Sequence, residues 1–518
     1  MTLKSQYDQA AAAHRRGDFA EAERLYRQVL EAAPASFAAH HMLGVLKAQQ
    51  GANDEALELI GAALALKPDA PDALFNYGNV LKRAGRPDEA LTAYEGALAA
   101  RPGYAAASIA RAEILNALGN GLLEARRPED ALARYEQALA EVPHYGDALN
   151  NRAVILWHLG RFDEAVLAFD AALAVKPDYV EAHFNRGNAL RDASRLAEAM
   201  ESFDRAVAID PVFAPAYRNK AFCALLQGDF AQGLPLYEWR KRLNPAIEAR
   251  VYPQPLWTGS EDIKGKTVFV YIEQGLGDTI QFYRFAAPLL ARGARVVLSV
   301  QDSLLRLLEN ASPQVELVGS KIVPASFDYH IPLMSLPLAL GLTAETLPDP
   351  GPYLTAEPIK ATQWAGRIGK KGFKIGISWQ GARGGVTSRA MPLEHFHGLS
   401  RIPNVRLISL QKGFGAEQLA GQSWVEVLNG LDDGPDAFLD CAAAMANLDL
   451  VITLDSAVAH LAGALGRPVW VGLKQVPDWR WFLGRNDSPW YSSMRLFRQT
   501  KDGDWASVFA EMESQVPR

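Results

Sequence analysis

The chain has 518 residues, of which 49% are hydrophobic and 22% charged, as is typical of a globular protein with two or three domains. Its formal net charge of −6 gives no basic footprint for a nucleic-acid partner. No stretch approaches the roughly 18 apolar residues of a transmembrane helix, and the N-terminus lacks the apolar core of a signal peptide. Cys223 and Cys441 lie far apart, so neither a disulfide framework nor a metal site is expected. These features predict a cytoplasmic protein without a membrane span.

The first half of the chain repeats with a fixed period. Small residues recur every 34 positions, apart from one step of 41, at Ala22, Ala56, Ala90, Ala131, Ala165, Ala199 and Gly233. A 34-residue period in which each repeat ends in proline is typical of the tetratricopeptide (TPR) helix pair. The sequence therefore predicts an α-solenoid of about seven repeats over residues 1–245. The longer step adds seven residues, or about two helical turns, and is expected to lengthen one helix.

Each repeat pairs small residues with a bulky one. A glycine or alanine stands 12 positions before the periodic small residue, and a Tyr, Phe or Ile stands four positions after it. This pattern predicts two helices in close contact. The seventh repeat departs from it, because Arg240 occupies the place of a small residue. Terminal repeats are often atypical because they cap the stack or dock on a neighbouring domain.

A column of asparagines also recurs in the repeats. Four asparagines, each two residues before the small residue of the first helix, share one register: Asn76, Asn151, Asn185 and Asn219. Helix interiors do not favour asparagine, so the column needs a reason. One interpretation is a ladder on the concave face that binds the backbone of a protein or peptide acceptor, since an amide both donates and accepts. The other is solvated positions, or asparagines bonded within their own repeat.

The second half of the chain reads as α/β. Strand, turn, helix and strand follow each other from Val268, and a second such series begins at Lys374. This order predicts parallel sheets in two Rossmann-like halves, over 246–365 and 366–518. Ligands of open α/β sheets bind beyond the carboxyl ends of the strands, so the turns there are candidate sites.

The turn after the first strand holds Gly275, Gly277 and Asp278. The glycines allow close approach of the backbone to a ligand, and Asp278 begins a helix, where it is either a functional acid or a plain N-cap. In the second half, Asp455, Ser456 and Ala457 begin another helix, whose N-terminus would attract phosphate.

His460 lies on the first turn or so of that second helix. It could reach a phosphate or a leaving group, although an isolated histidine is more often structural. The other polar turn residues of this half are Trp379, Gln380, Arg389, Gln411 and Lys412. Arginine suits phosphate because the N–H donors of its planar guanidinium match the geometry of two phosphate oxygens. The segment around Trp479 and Arg480 is either core or a wall for a stacked substrate.

Residues 265–500 resemble the glycosyltransferase family 9 (heptosyltransferase-like) domains that occur fused to TPR arrays in bacteria. The motifs that carry the resemblance are EQGLGDTIQFYRF, DYHIPLMSLP, SWQG, SRAMPL, LDLVITLDSAVAHLAGALGRPVWV and DWRWFLGRNDSPWY. The resemblance implies a GT-B fold, with Asp278 as a candidate general base and Asp455, Ser456, Ala457 and His460 in the donor-phosphate segment. One departure is Ala390, which stands where the family has serine after Arg389.

The order of the domains also resembles bacterial flagellin glycosyltransferases of the FlmG type, which use a nonulosonic acid donor. The TPR domain of O-GlcNAc transferase, which holds its substrates through an asparagine ladder, is similar to the first half. These resemblances imply a glycosyltransferase with no tightly bound cofactor, which moves a sugar from a nucleotide sugar, such as a CMP-nonulosonic acid, to Ser or Thr of a protein such as flagellin. The alternative is a non-catalytic TPR scaffold with a degenerate sugar-nucleotide domain.

Overall fold

The computed structural model describes residues 2–243, 250–309, 311–349, 351–381 and 390–517. The chain divides into two compact units, Met1–Ala182 and His183–Arg518. The predicted boundary at 245–246 and the predicted site residue Arg389 lie outside the described residues. Within the described residues, no helix is both long and apolar enough to cross a bilayer.

The first unit consists of helical pairs. First helices of 13 residues alternate with second helices of 14, except that α7 has 20. The excess of seven residues over 13 confirms that the insertion lengthens one helix. The helices are α1 (Leu3–Arg15), α2 (Phe19–Ala32), α3 (Phe37–Gln49), α4 (Asn53–Leu66), α5 (Pro71–Arg83), α6 (Pro87–Ala100), α7 (Ala105–Glu124), α8 (Pro128–Glu141), α9 (Gly146–His158) and α10 (Phe162–Val175).

The small residue of each first helix lies against the bulky residue of the second. A Cβ atom built on Gly78 would approach the ring of Tyr94 to 2.6 Å, and one on Gly119 would approach Tyr135 to 2.5 Å. Both tyrosines are fully buried. The helices of a pair therefore approach closely because one side chain has been reduced to a hydrogen, which is the packing that the spacing predicts.

The helical repeats continue into the second unit. α11 (Val180–Asp192) spans the boundary between the units, and α12 (Leu196–Ile209), α13 (Ala214–Leu226) and α14 (Phe230–Tyr237) follow. A 3₁₀ turn over Glu238–Arg242 ends the described part of the solenoid. The described part of the solenoid thus contains 14 helices in seven pairs, which confirms the predicted TPR solenoid.

The α/β region begins with a four-stranded sheet. Its order is β3-β2-β1-β4, and all of its pairs are parallel. The strands are β1 (Thr267–Tyr271), β2 (Arg295–Val300), β3 (Val315–Gly319) and β4 (Tyr329–Pro332). The connecting helices are α15 (Leu276–Phe282), α16 (Ala286–Ala291), α17 (Leu305–Leu308) and α18 (Leu336–Ala339), and α19 (Pro358–Ile368) leads to the second sheet.

The second sheet has seven strands in the order β10-β11-β9-β8-β5-β6-β7. Only the short pair of β10 with β11 is antiparallel among the described pairs. The strands are β5 (Phe373–Ser378), β6 (Val405–Ser409), β7 (Val425–Val427), β8 (Leu450–Leu454), β9 (Val469–Leu473), β10 (Asp487–Ser488) and β11 (Tyr491–Arg498). The helices are α20 (His397–Ser400), α21 (Leu439–Met445), α22 (Ala457–Ala464) and α23 (Trp505–Gln515).

The two sheets share one strand order. Counted from its own first strand, the first sheet runs 3-2-1-4, and the parallel strands of the second run 3-2-1-4-5-6. This is the order typical of doubly wound nucleotide-binding folds, which bind ligands where the order reverses, between strands 1 and 4. The reversal lies between β1 and β4 in the first sheet and between β5 and β8 in the second.

Candidate functional site

The residues after the strands at the two reversal points are those that the sequence predicts as a site. Gly275 and Asp278 follow β1, Trp379 and Gln380 follow β5, and Asp455 follows β8. Because parallel strands end at the same edge of a sheet, Gln380 and Asp455 share one edge. Strand order therefore brings Gln380 and Asp455, which lie 75 positions apart in the sequence, to one edge.

Asp278 contacts two groups at once. Its Oδ2 accepts the backbone N–H of Gly275, the N-cap residue of α15, at 3.0 Å. This is one of the two bonds of a capping box, because glycine has no side chain to form the other. Its Oδ1 forms an ion pair with Arg480, and the side chain keeps 23% of its surface exposed. The N-cap of α15 is Gly275, so Asp278, which the sequence predicts as either a functional acid or a plain N-cap, lies at the third helical position and not at the cap itself. It is also one partner of an ion pair that joins the two sheets' domains.

The sequence indicates Arg480 only as part of a possible substrate wall and does not predict that it pairs with Asp278. Its buried guanidinium also bonds Asp478 Oδ1 at 2.8 Å and Gln281 Oε1 at 2.8 Å. Burial alone would lower the pKa of Arg480, but the carboxylates of Asp478 and Asp278 outweigh it and raise this pKa. The sequence signal was the acidic and basic side chains among tryptophans in PDWRWF, which does not identify Asp278 as the partner.

Gly277 and His460 lie where α15 packs against α22. A Cβ built on Gly277 would lie 3.0 Å from Ala457 Cα and 3.2 Å from His460 Cδ2, so any larger residue would press on α22. His460 is buried, its ring stacks on Trp481 at 5.3 Å, and its Nδ1 lies 3.2 Å from the Tyr491 hydroxyl. In this structure both residues pack the two helices together.

Gln411 connects the ends of β5 and β6. Its Oε1 accepts from the Ser378 hydroxyl at 3.1 Å and from the backbone N–H groups of Trp379 and Gln380, both at 3.0 Å. Its Nε2 donates to the carbonyls of Gln380 at 2.8 Å and Phe414 at 2.7 Å. The amide therefore shapes the turn after β5. Trp379 is fully buried in the core of the second half.

The remaining predicted residues border the same edge. Lys412 Nζ donates to the Leu431 carbonyl at 2.8 Å and forms an ion pair with Asp433. Ser456 lies in extended backbone before α22, with its hydroxyl 3.2 Å from that of Thr453. Asp455 and Ser456 are both half-buried. Within the described residues, no group of three or more His, Cys, Asp or Glu side chains could hold a metal ion.

The asparagine column links neighbouring repeats in the first unit. Asn76 Nδ2 donates to His41 Nε2 at 3.0 Å, and burial lowers the pKa of His41, which keeps this acceptor neutral. Asn151 Nδ2 donates to Asn116 Oδ1 at 3.0 Å and Asn120 Oδ1 at 3.1 Å. These partners precede by 31 to 35 residues, so they belong to the preceding repeat and not to the same one.

The column continues in the second unit. Asn219 is buried and donates to Asn188 Oδ1 at 2.6 Å, whereas Asn185 is half-buried. The half-buried members, Asn76, Asn151 and Asn185, keep part of their surface accessible. The column thus carries contacts between repeats at Asn76, Asn151 and Asn219, and its use as a ladder for an acceptor stays a prediction.

Comparison with known proteins supports the repeat assignment. Residues 7–71, 41–105, 75–121, 116–174 and 159–212 match the family model of the tetratricopeptide repeat. Among solved structures, YrrB, described as a TPR protein with an unusual peptide-binding site, is 22% identical, with a TM-score of 0.30, over 38% of this chain and 97% of its own. PilF of Pseudomonas aeruginosa is 21% identical, with a TM-score of 0.29, over 40% of this chain and 92% of its own.

A curated relative extends further along the chain. Protein FlbA of Caulobacter vibrioides (strain ATCC 19089 / CIP 103742 / CB 15) is 27% identical over 330 residues, which cover 57% of this chain and 54% of that protein. The chain thus spans about half the length of this relative. The N-terminal half is a TPR solenoid, a type of domain that binds proteins.

Proposed function

We propose that this protein is a glycosyltransferase that moves a sugar from a nucleotide-sugar donor to a Ser or Thr hydroxyl of a protein held by the solenoid. The observation that carries the proposal is the shared strand order of the two sheets. Folds of this order bind ligands at the reversal points, and Asp278 follows β1 while Gln380 and Asp455 follow β5 and β8, which supports a site at these points. The GT-B architecture that the family resemblance implies is part of this proposal.

The second half would bind the donor. Gln380 follows β5 and Asp455 follows β8, at the reversal between these two strands, and Ser456 precedes the N-terminus of α22, where backbone N–H groups favour a phosphate. Lys412 and Arg389 would supply positive charge for the leaving nucleotide. The order of the domains, TPR repeats followed by the α/β region, resembles that of flagellin glycosyltransferases. This resemblance favours a CMP-activated nonulosonic acid as donor and flagellin as acceptor.

Asp278 would act as the general base. The acceptor oxygen forms a bond to the anomeric carbon, the bond from that carbon to the phosphate oxygen breaks, and the hydroxyl proton passes to the Asp278 carboxylate. An ionised carboxylate has about four lone-pair directions. Gly275 and Arg480 occupy two of them, and the exposed part of the side chain leaves a side for the hydroxyl.

The solenoid would hold the acceptor through its asparagine column. The half-buried amides of Asn76 and Asn151 are oriented by bonds to the preceding repeat, so they do not lose side-chain freedom when they bind a peptide backbone. This column recognises backbone groups and not side chains, which suits an acceptor whose sequence varies around the modified residue.

The test is transfer measured by intact mass. The full-length protein is incubated with flagellin and a CMP-activated nonulosonic acid, and flagellin should gain the mass of the sugar while CMP is released. Asp278→Asn keeps a side-chain oxygen that can accept the backbone N–H of Gly275. It should lower the rate by about 10²–10⁴. An unchanged rate in Asp278→Asn would remove Asp278 as the base, and no transfer from CMP, UDP or GDP sugars would refute the proposed activity.

A second candidate function is a scaffold that binds proteins and does not transfer sugar. It is favoured by the direct packing of Gly277 on Ala457 and by the ion pair that engages Asp278. A scaffold would show protein binding by the solenoid, and neither transfer nor hydrolysis of any nucleotide sugar. The two functions are thus separated by nucleotide release from the full-length protein.

A further inference from the structure

The seventh repeat places a buried arginine at the edge of the first sheet. Arg240 is fully buried, and its guanidinium donates to Glu273 Oε2 at 2.7 Å, Ser335 Oγ at 2.7 Å and Glu238 Oε1 at 2.6 Å. Glu273 follows β1 and Ser335 follows β4. The side chain that breaks the repeat pattern therefore occupies the reversal point of the first sheet, with the 1%-exposed carboxylate of Glu273 as its partner.

The seventh repeat also bonds Gln274, the residue after Glu273 in the turn that follows β1. Gln274 Nε2 donates to the hydroxyl of the buried Tyr237 at 2.8 Å. On its other side the turn is held from the end of β2, because Gln301 Nε2 donates to the Gln274 carbonyl at 2.9 Å and Gln301 Oε1 accepts from the Thr279 hydroxyl at 2.8 Å. The backbone that leads to Gly275 and Asp278 is thus fixed from two sides, and one of them is the solenoid.

The seventh repeat further packs on the segment that carries Arg480. The ring of Phe230 stacks on Phe482 at 5.9 Å, and the rings of Phe230 and Tyr237 each lie 6.1 Å from that of Trp479. Arg480 lies within this segment and pairs with Asp278. The seventh repeat therefore contacts Trp479 and Phe482, which lie on the two sides of Arg480 in the sequence.

We propose that Tyr237 and Arg240 are positioning residues for Asp278, so that the last repeat is a structural part of the candidate active centre. A buried ion pair that loses one partner leaves an uncompensated charge, which is strongly unfavourable. The turn after β1 therefore keeps its place only while Arg240 stays in contact with Glu273. The catalytic consequence rests on the proposed function, whereas the position of the turn does not.

The experiment uses matched pairs of variants in the full-length chain. Tyr237→Phe removes only the hydroxyl that Gln274 bonds, and its control is Tyr217→Phe, which removes a hydroxyl bonded to the Pro211 carbonyl in the same repeat. Arg240→Met removes the buried guanidinium, and its control is Arg242→Met, whose guanidinium lies 4.4 Å from the Trp239 ring.

Hydrogen–deuterium exchange of residues 272–279 is the first measurement. Exchange should rise roughly five-fold in Tyr237→Phe, as for one lost hydrogen bond, and roughly ten-fold or more in Arg240→Met. It should not change in the two controls. Exchange that stays at the wild-type level in Tyr237→Phe overturns the proposal, and this variant decides the matter if Arg240→Met does not fold.

Hydrolysis of a CMP-activated nonulosonic acid without acceptor is the second measurement. Tyr237→Phe should lower the turnover about ten-fold and leave the half-saturating donor concentration unchanged, because Asp278 is displaced and the donor side is not. A raised half-saturating concentration at wild-type turnover overturns the positioning role. If the wild-type protein neither hydrolyses a nucleotide sugar nor transfers its sugar to flagellin, the proposed function fails, and the exchange measurement still decides whether the repeat positions the turn.

Discussion

Two glycines in one helix allow the packing of the solenoid to be tested with a single added methyl group. Gly119 and Gly121 both lie in α7, but a Cβ at Gly119 would meet Tyr135 Cε1 at 2.5 Å, Cζ at 2.9 Å and Cδ1 at 3.0 Å, whereas a Cβ at Gly121 meets nothing within 4 Å. Gly119→Ala and Gly121→Ala therefore add the same group to the same helix and differ only in the space available to it.

The expected magnitudes follow from these contacts. Alanine in place of glycine stabilises a helix by about 0.5–1 kcal/mol at either position. At Gly119 the methyl overpacks the core, which costs about 2 kcal/mol, and it moves the ring of Tyr135. That shift breaks the bond from the Tyr135 hydroxyl to Asn120 Oδ1, which is 2.6 Å long, and costs about 1 kcal/mol more. Gly119→Ala should thus lower the free energy of unfolding by about 2 kcal/mol, and Gly121→Ala should raise it by up to about 1 kcal/mol.

The assay is urea unfolding of the full-length chain followed by circular dichroism, together with hydrogen exchange of the amides of α7 and α8. Exchange is needed because solenoids open in segments, so one global transition can hide a local effect. The two variants should differ by about 3 kcal/mol in the stability of this helix pair. If Gly119→Ala is as stable as Gly121→Ala, the close contact with Tyr135 is not what sets the spacing of the pair.

Three further outcomes are expected. Replacing the whole asparagine column (Asn76, Asn151, Asn185 and Asn219) by alanine should weaken acceptor binding by roughly ten-fold or more, measured by calorimetry, and leave nucleotide affinity unchanged. If the variant binds the acceptor as tightly as the wild type, the column is not a ladder for the acceptor. His460→Ala should reduce nucleotide affinity without unfolding the chain, and wild-type binding in calorimetry would show that His460 only packs α22. Burial raises the pKa of Asp432 to about 6, so its folded carboxyl keeps a proton that the unfolded chain loses from about pH 4. As pH rises from about 4 to 6 the wild type should therefore lose roughly 2–3 kcal/mol of stability relative to Asp432→Asn, and parallel pH profiles of urea unfolding would contradict this.

The repetitive part of the fold could be predicted because each of its signals is local. A helix pair spans 34 residues, and its small and bulky residues lie within 16 positions of each other, so the pattern is visible in one repeat and confirmed in the next. The greater length of α7 could be predicted in the same way, because one step of the repeat is seven residues longer than the others. The α/β region and its parallel strands could also be predicted from alternating segments, whereas the GT-B assignment stays a proposal.

The site could be predicted only in its positions along the chain. Strand ends and turns are local features, and the structure does place Gln380 and Asp455 at one edge. The partner of Asp278 lies 202 residues away in Arg480, and no spacing in the sequence links the two. Likewise, a glycine that lets a ligand approach and one that lets a helix approach look the same in a sequence. Gly277 is seen to do the second only because α22 is in place.

The buried arginine of the seventh repeat also bears on how this gene can change. Deletion or duplication of 34 residues in the interior of the array removes or adds one copy of a unit whose contacts its neighbours reproduce, so array length is free to drift by unequal recombination. A deletion over residues 214–243 would instead remove Tyr237 and Arg240 and leave the carboxylate of Glu273 buried without its counter-charge. Homologous chains should accordingly vary in the number of early repeats, while the last repeat is inherited together with the α/β region as one block.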